Sequence, residues 1–234
     1  LVISIVATTI GVVASPARAQ SNEPRFCKAV ADLSLLFNKI DDEPTRAQQR
    51  TIARLLTRAE QNAPSSVAEA MGTAADAVRE NNFETPEVQA AVNTIDTWVA
   101  ENCDFPVTDV VGRDYSFGGI PDSLERGINI FKFTNEGAEL HELFVMRIKG
   151  DETLDELLAL PEEEADKKVA VVGGTFAEQG ATTYAYLDLA KPGRYAAVCF
   201  LPVGSTDPAA AESAEGPPHF AEGMATEFTV TRAG

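Results

Sequence analysis

Four side chains able to bind a soft metal fall in one order in the second half of the chain: His141, Cys199, His219 and Met224. Their types are scarce, since the 234 residues include only two His, three Cys and three Met. His141 follows the turn Asn135-Glu136-Gly137 and opens a β-rich run, and Cys199 ends the run Arg194-Tyr195-Ala196-Ala197-Val198. His219 and Met224 lie in Pro218-His219-Phe220-Ala221-Glu222-Gly223-Met224, just before the last such run. Two imidazoles, a thiolate and a thioether are the donor set of a mononuclear copper electron-transfer site, a trigonal His2Cys plane with a long, weak Met bond. Soft sulfur favours Cu(I) and imidazole suits both states, so one copper ion could cycle between Cu(I) and Cu(II) with little rearrangement. Taken singly, each residue has a plainer reading: a strand-end His, a surface His, a buried small thiol, a core Met. Their joint order points to the metal.

The elements that must position them change character near Val107. Beyond it lie short β-rich runs at 128–134, 140–148, 182–189, 194–200 and 226–231. In the last, Thr226, Phe228 and Val230 alternate with Glu227, Thr229 and Thr231, the pattern of a half-buried strand. Turn signals at Asn135-Glu136-Gly137, Gly173-Gly174 and Lys191-Pro192-Gly193 separate the runs. The Leu- and Glu-rich stretch 151–166 reads as a short helical insertion, with Glu162–Asp166 a solvated face. Several short strands with few helices predict a β-sandwich over 107–234.

Residues 22–103 instead carry a helical period. Phe26, Val30, Leu33, Phe37 and Ile40 recur at three- and four-residue steps, as do Ile52, Leu55, Leu56 and Ala59. Val67, Met71, Ala74 and Val78 follow, then Val88, Val92, Ile95 and Val99. Helix starts are signalled by Asp42 before Glu43-Pro44, Pro64 before Ser65, and Thr85 before Pro86-Glu87. Four helices with short connections favour an up-down-up-down bundle over 20–106. In that topology Cys27, near the start of the first helix, and Cys103, at the end of the fourth, lie together. A disulfide is expected there, two buried free thiols being the alternative. The chain is thus read as an α+β protein of two domains, a four-helix bundle followed by the sandwich.

The last ~128 residues resemble the cupredoxins, the family of plastocyanin and azurin, in the Asn-x-Gly turn before His141, in Tyr195…Cys199, and in His219…Gly223-Met224 before the final strand. The resemblance implies a Greek-key β-sandwich, copper held by His141, Cys199, His219 and Met224, and one-electron transfer rather than catalysis. Two departures stand out. Nineteen residues separate Cys199 from His219, where the family has a few. Glu142 follows His141 where plastocyanin and azurin carry Asn. The long stretch, Val203–Pro217, is polar and Ala-rich and is expected to loop into solvent and loosen the site. Glu142 is expected to face water, on the side of the strand opposite His141.

Nineteen Lys+Arg against 36 Asp+Glu give a net charge of −17, which excludes a phosphate-binding surface for nucleic acid and a polybasic membrane patch. A redox partner protein with a basic docking face suits this field. With both histidines used, a trinuclear copper cluster, and with it a multicopper oxidase, has no ligands. Residues 1–19 read as a signal peptide: an apolar run to Val13, then Ala17-Arg18-Ala19 for the peptidase. The protein is therefore expected to be exported, with no membrane span once that segment is removed. Copper delivery or storage, and a metal-free interaction scaffold, are the other functions the sequence allows. Cys199 as a hydrolytic nucleophile ranks last, because no third orienting group is evident.

Overall fold

A computed structural model describes residues 22–40, 43–83 and 85–232. The signal-peptide reading of 1–19 and the helix-start reading of Asp42 fall outside them. Four helices come first: α1 (Glu23–Phe37), α2 (Arg46–Asn62), α3 (Ala68–Glu80) and α4 (Pro86–Asn102). Thr85 caps α4, its hydroxyl accepting the Val88 N–H, and Pro86 takes the first helical position. α2 begins later than Pro44, because Thr45 and Gln48 form a capping box. α3 likewise begins three residues after Ser65, behind a turn.

α1 packs with α2 and α3 with α4, and both α1 and α4 lie against strand β7 (Thr182–Asp188). The helical core holds Phe26, Ile52, Leu56, Met71, Ile95 and Val99, and it reaches Ile130 and Tyr186 of the strand region. Helices and strands thus share a core, a closure that an isolated bundle does not have. Trp98 is half-buried, edge-on to Phe26 at 5.4 Å. The Cys27–Cys103 disulfide is present, joining the start of α1 to the residue that caps α4.

The remaining strands are β1 (Val107–Arg113), β2 (Ser116–Gly118), β3 (Ser123–Glu125), β4 (Ile128–Asn135), β5 (His141–Ile148), β6 (Val169–Ala177), β8 (Gly193–Val198) and β9 (Ala225–Thr231). They form two sheets, β2-β1-β4-β7 and β3-β9-β8-β5-β6. β1 runs parallel to β4 and β3 parallel to β9; the other pairings are antiparallel. Phe131, Phe133, Leu143, Val145, Tyr195 and Phe228 fill the space between the sheets. The opposite face of β5 and β8, with Met146, Ile148, Ala196 and Val198, is covered by Leu154 and Leu157 of α5 (Leu154–Leu158). The insertion is two helices, α5 and the exposed α6 (Glu162–Lys168), split at Pro161.

Two expectations fail here. Gly173-Gly174 is no turn: both residues lie inside β6, where the pairing with β5 shifts register between Val145 and Met146. Gly173 has φ +149°, and a Cβ on it would collide with Asn38 of the helical domain, so the glycine serves a bulge and a close approach. The stretch 203–217 is no simple solvent loop either. It contains α7 (Pro208–Ser213), capped by Asp207, and its Ser205 is fully buried.

Candidate metal centre

His141, Cys199 and His219 come together at one end of the sandwich, all three fully buried, with one donor atom of each within 4.8 Å of the others. The two imidazoles meet through their Nδ1 atoms at 3.1 Å, and Cys199 Sγ lies 3.3 Å from His219 Nδ1. Each ligand candidate is held by the fold in its own way. His141 is the first residue of β5. Its approach is set by Asn135, whose side-chain oxygen accepts the Gly137 N–H and whose amide donates to the Glu139 and Ala177 carbonyls. Cys199 follows β8 directly, and its N–H donates to the Met224 carbonyl. His219 opens a single 3-10 turn, 219–222, its N–H bonded to Leu201 O and its carbonyl to Met224 N.

Met224 is fully buried and bonded through its backbone to both Cys199 and His219. Its side chain reaches Gly112 of β1, where a Cβ would stand 3.4 Å from the Met224 methyl and closer still to the Phe133 ring. Glu142 does not simply face water. It is half-buried, its carboxyl raised above the usual range by that burial, with only the Phe200 N–H at 3.4 Å opposing. Its backbone N–H donates to Cys199 Sγ at 3.3 Å, the hydrogen bond a thiolate would need.

Two residues that sequence reasoning missed complete the centre. Asp114 Oδ1 lies 2.8 Å from His141 Nε2, and Glu139 Oε2 lies 3.0 Å from His219 Nε2. Burial works against the charge of Asp114, but the Ala138 N–H, His141 and the Glu139 N–H hold its carboxyl below the ordinary range. Glu139 is likewise lowered, as the Gly204 N–H, His219 and Tyr115 outweigh its burial. Glu139 stands within the turn before His141. Asp114 had no local signal: the parallel pairing of Gly112 with Asn135 brings the β1–β2 turn beside the β4–β5 turn. Gly137 leaves room for this contact, since a Cβ there would collide with both Asp114 Oδ1 and His141 Nε2.

An ionised carboxylate only accepts, which assigns the imidazole protons to both Nε2 atoms and leaves both Nδ1 atoms as acceptors. Two lone pairs then face each other at 3.1 Å, with one thiol proton available between three donor atoms. Burial pushes that thiol up to about 11 and lowers the His141 imidazole, so it favours the neutral form of both groups. A cation that accepts two imidazole lone pairs and a thiolate fits this arrangement, and the carboxylate–imidazole pairs are the usual outer partners of such ligands.

The long segment between Cys199 and His219 closes onto the cluster. Pro202 bridges Pro218, Val203 N bonds Pro217 O, Gly204 N donates to Glu139 Oε2 at 2.7 Å, and Ser205 O accepts from Leu140 N at 2.6 Å. Its base is pinned, so the added length does not separate the ligands.

No family model matches the chain, and no curated protein sequence does. Among solved structures it is similar to a dithionite-reduced auracyanin from Roseiflexus castenholzii, at 18% identity and TM-score 0.34, over 55% of this chain and 97% of that one. Auracyanin A, a "blue" copper protein of Chloroflexus aurantiacus, is similar at 16% identity and TM-score 0.32, over 54% of this chain and 98% of that one. A multicopper oxidase from Pediococcus acidilactici gives 12% and 0.32, over 56% of this chain but 27% of its own. At such scores the likeness is loose, and the centre's own geometry carries its reading.

Proposed function

We propose that this chain is an exported one-electron carrier whose copper would be held by His141, Cys199, His219 and Met224. The observation that carries the reading is the buried meeting of two Nδ1 atoms and one thiol sulfur, each imidazole backed by a carboxylate. Copper bound there would supply a site that gains and loses one electron without making or breaking a bond in a substrate.

The chain's own groups supply the rest. Asp114 and Glu139 fix the tautomer and ring orientation of both imidazoles and place two negative charges at their outer edges, which favours the more highly charged oxidation state. The Glu142 N–H holds the sulfur, and full burial of the three donors excludes water. Because β5, β8 and the pinned 200–218 segment fix every donor, both oxidation states meet one geometry. Such a centre suits electron transfer better than delivery, which needs a site that opens. The acidic surface would steer a partner with a basic face, with rates that fall as salt rises.

The test is the visible spectrum and copper stoichiometry of the chain after Cu(II) loading, beside Cys199→Ser. The reading requires one copper per chain and an intense thiolate-to-copper absorption band that Cys199→Ser abolishes. Substoichiometric copper without such a band would overturn it in favour of the metal-free scaffold, and Cu(I)-only binding with ready release would favour delivery.

A further inference from the structure

The helical domain holds an apolar cavity of about 370 Å³ that is remote in chemistry from the metal centre. All four helices line it, among them Leu33 and Phe37 of α1, Leu56 of α2, Val78 of α3 and Val92 of α4. Among the described residues the only charged side chain on its wall is Asp96 of α4, and Ser34 of α1 adds a hydroxyl. The Asp96 Oδ1 atom accepts the Tyr186 hydroxyl at 2.8 Å, the one side-chain hydrogen bond this carboxyl makes among the described residues. Asp96 is half-buried. At the mouth stand Phe37, Phe83 and Val92, which are among the few large apolar side chains the chain leaves exposed. A cavity of this size, apolar but for Asp96 and the Ser34 hydroxyl and set between helices, has the make-up of a small-molecule site.

We propose that this cavity binds an apolar small molecule carrying one hydroxyl group, which donates its hydrogen bond to Asp96. Three features define that ligand. Beyond Asp96 and Ser34 the wall is apolar, so an anionic group would stay unpaired there at a cost of one or more kcal/mol. The carboxyl can accept one further hydrogen bond, and a hydroxyl is a neutral donor for it. The exposed Phe37, Phe83 and Val92 offer an entry that wets no polar backbone. Burial pushes the Asp96 carboxyl up to about 7 although the Tyr186 hydroxyl opposes the shift. The proposal stands apart from the copper reading, and neither depends on the other.

Calorimetric titration of the whole chain with 2-naphthol, beside naphthalene and 2-naphthalenesulfonate, tests it. The expected result is saturable binding of one 2-naphthol, about tenfold tighter than naphthalene, as one hydrogen bond to a carboxylate would give, and no binding of the sulfonate. Asp96→Asn keeps an oxygen for Tyr186 but turns an amide NH2 to the cavity, and it should erase the advantage of the hydroxyl. Ala74→Phe fills the cavity, and Val92→Trp covers its mouth from an exposed position that folding tolerates; each should abolish binding of both apolar probes. No saturable binding of 2-naphthol, binding that survives Val92→Trp, or a naphthol preference that Asp96→Asn leaves unchanged overturns the proposal.

Discussion

The two halves of this molecule bury polar groups in opposite ways. Every fully buried polar side chain among the described residues lies beyond Val107, and Asn135, His141, Ser205 and His219 gather at one end of the sandwich. There each ring nitrogen and amide has a neighbour, and the neighbours come from three separate turns. The helical half has an apolar core, and Asp96, half-buried, accepts the Tyr186 hydroxyl at the wall of its cavity. The first arrangement is rigid at its rim, where carboxylates and backbone groups fix each imidazole Nε2 and the Asn135 amide, while the two Nδ1 atoms face each other at its centre. The second leaves room to be filled. A fixed-geometry centre and an open apolar chamber therefore sit in one chain, joined through Tyr186 and Asn38, whose amide donates to the Tyr186 carbonyl.

This contrast can be broken from either side. The largest effect should come from Cys27→Ser with Cys103→Ser, which frees a loop with a sequence separation of 76 and should cost about 4 kcal/mol. Chemical denaturation should show the loss falling on the helices, while the copper absorption of the sandwich persists. If both halves weaken together, the shared core at Ile130 and Tyr186 binds them into one unit.

Asp96 predicts a pH dependence. Folded, its carboxyl keeps a proton to about pH 7, whereas unfolded it releases one near its ordinary 3.8. Stability should therefore fall as pH rises from about 4 to 7, by a few kcal/mol in all, and level off above. Asp96→Asn should remove that slope and leave the variant more stable than the parent at pH 8, read by denaturant midpoints at several pH values.

At the metal centre, Asp114→Asn and Glu139→Gln should each weaken copper binding about tenfold to a hundredfold and raise the reduction potential, with absorption retained. Competition against a chelator and voltammetry measure the two effects. The smallest effect is Thr85→Ala, which removes the cap of α4 and should cost about 1 kcal/mol of helical stability while leaving the centre untouched.

The sequence made some of this legible and hid the rest for physical reasons. Helical period and caps are local, so α1 to α4 could be read, as could Thr85; the disulfide followed once the topology was guessed. His141, Cys199, His219 and Met224 drew notice as rare side chains in a telling order. The Asp114 contact with His141 rests on a parallel pairing of β1 with β4, and no neighbouring residue announces it. Gly173-Gly174 misled because glycine marks turns and bulges alike, and the bulge is set by Asn38 far off in the chain. The 203–217 segment misled because its composition is that of a loop, whereas the anchoring of its start at Gly204 and Ser205 depends on two hydrogen bonds, to Glu139 and Leu140, that composition does not encode.

The Cys27–Cys103 bond also decides how the molecule carries a load. Tension applied on the N-terminal side of Cys27 passes through the sulfur bridge to Cys103 and, four residues on, into β1 at Val107. The 75 residues between the two cysteines lie outside that line of force. A tether at that end would pull on the sandwich directly, and the helices would hang beside it as an unstressed side loop, their chamber undisturbed.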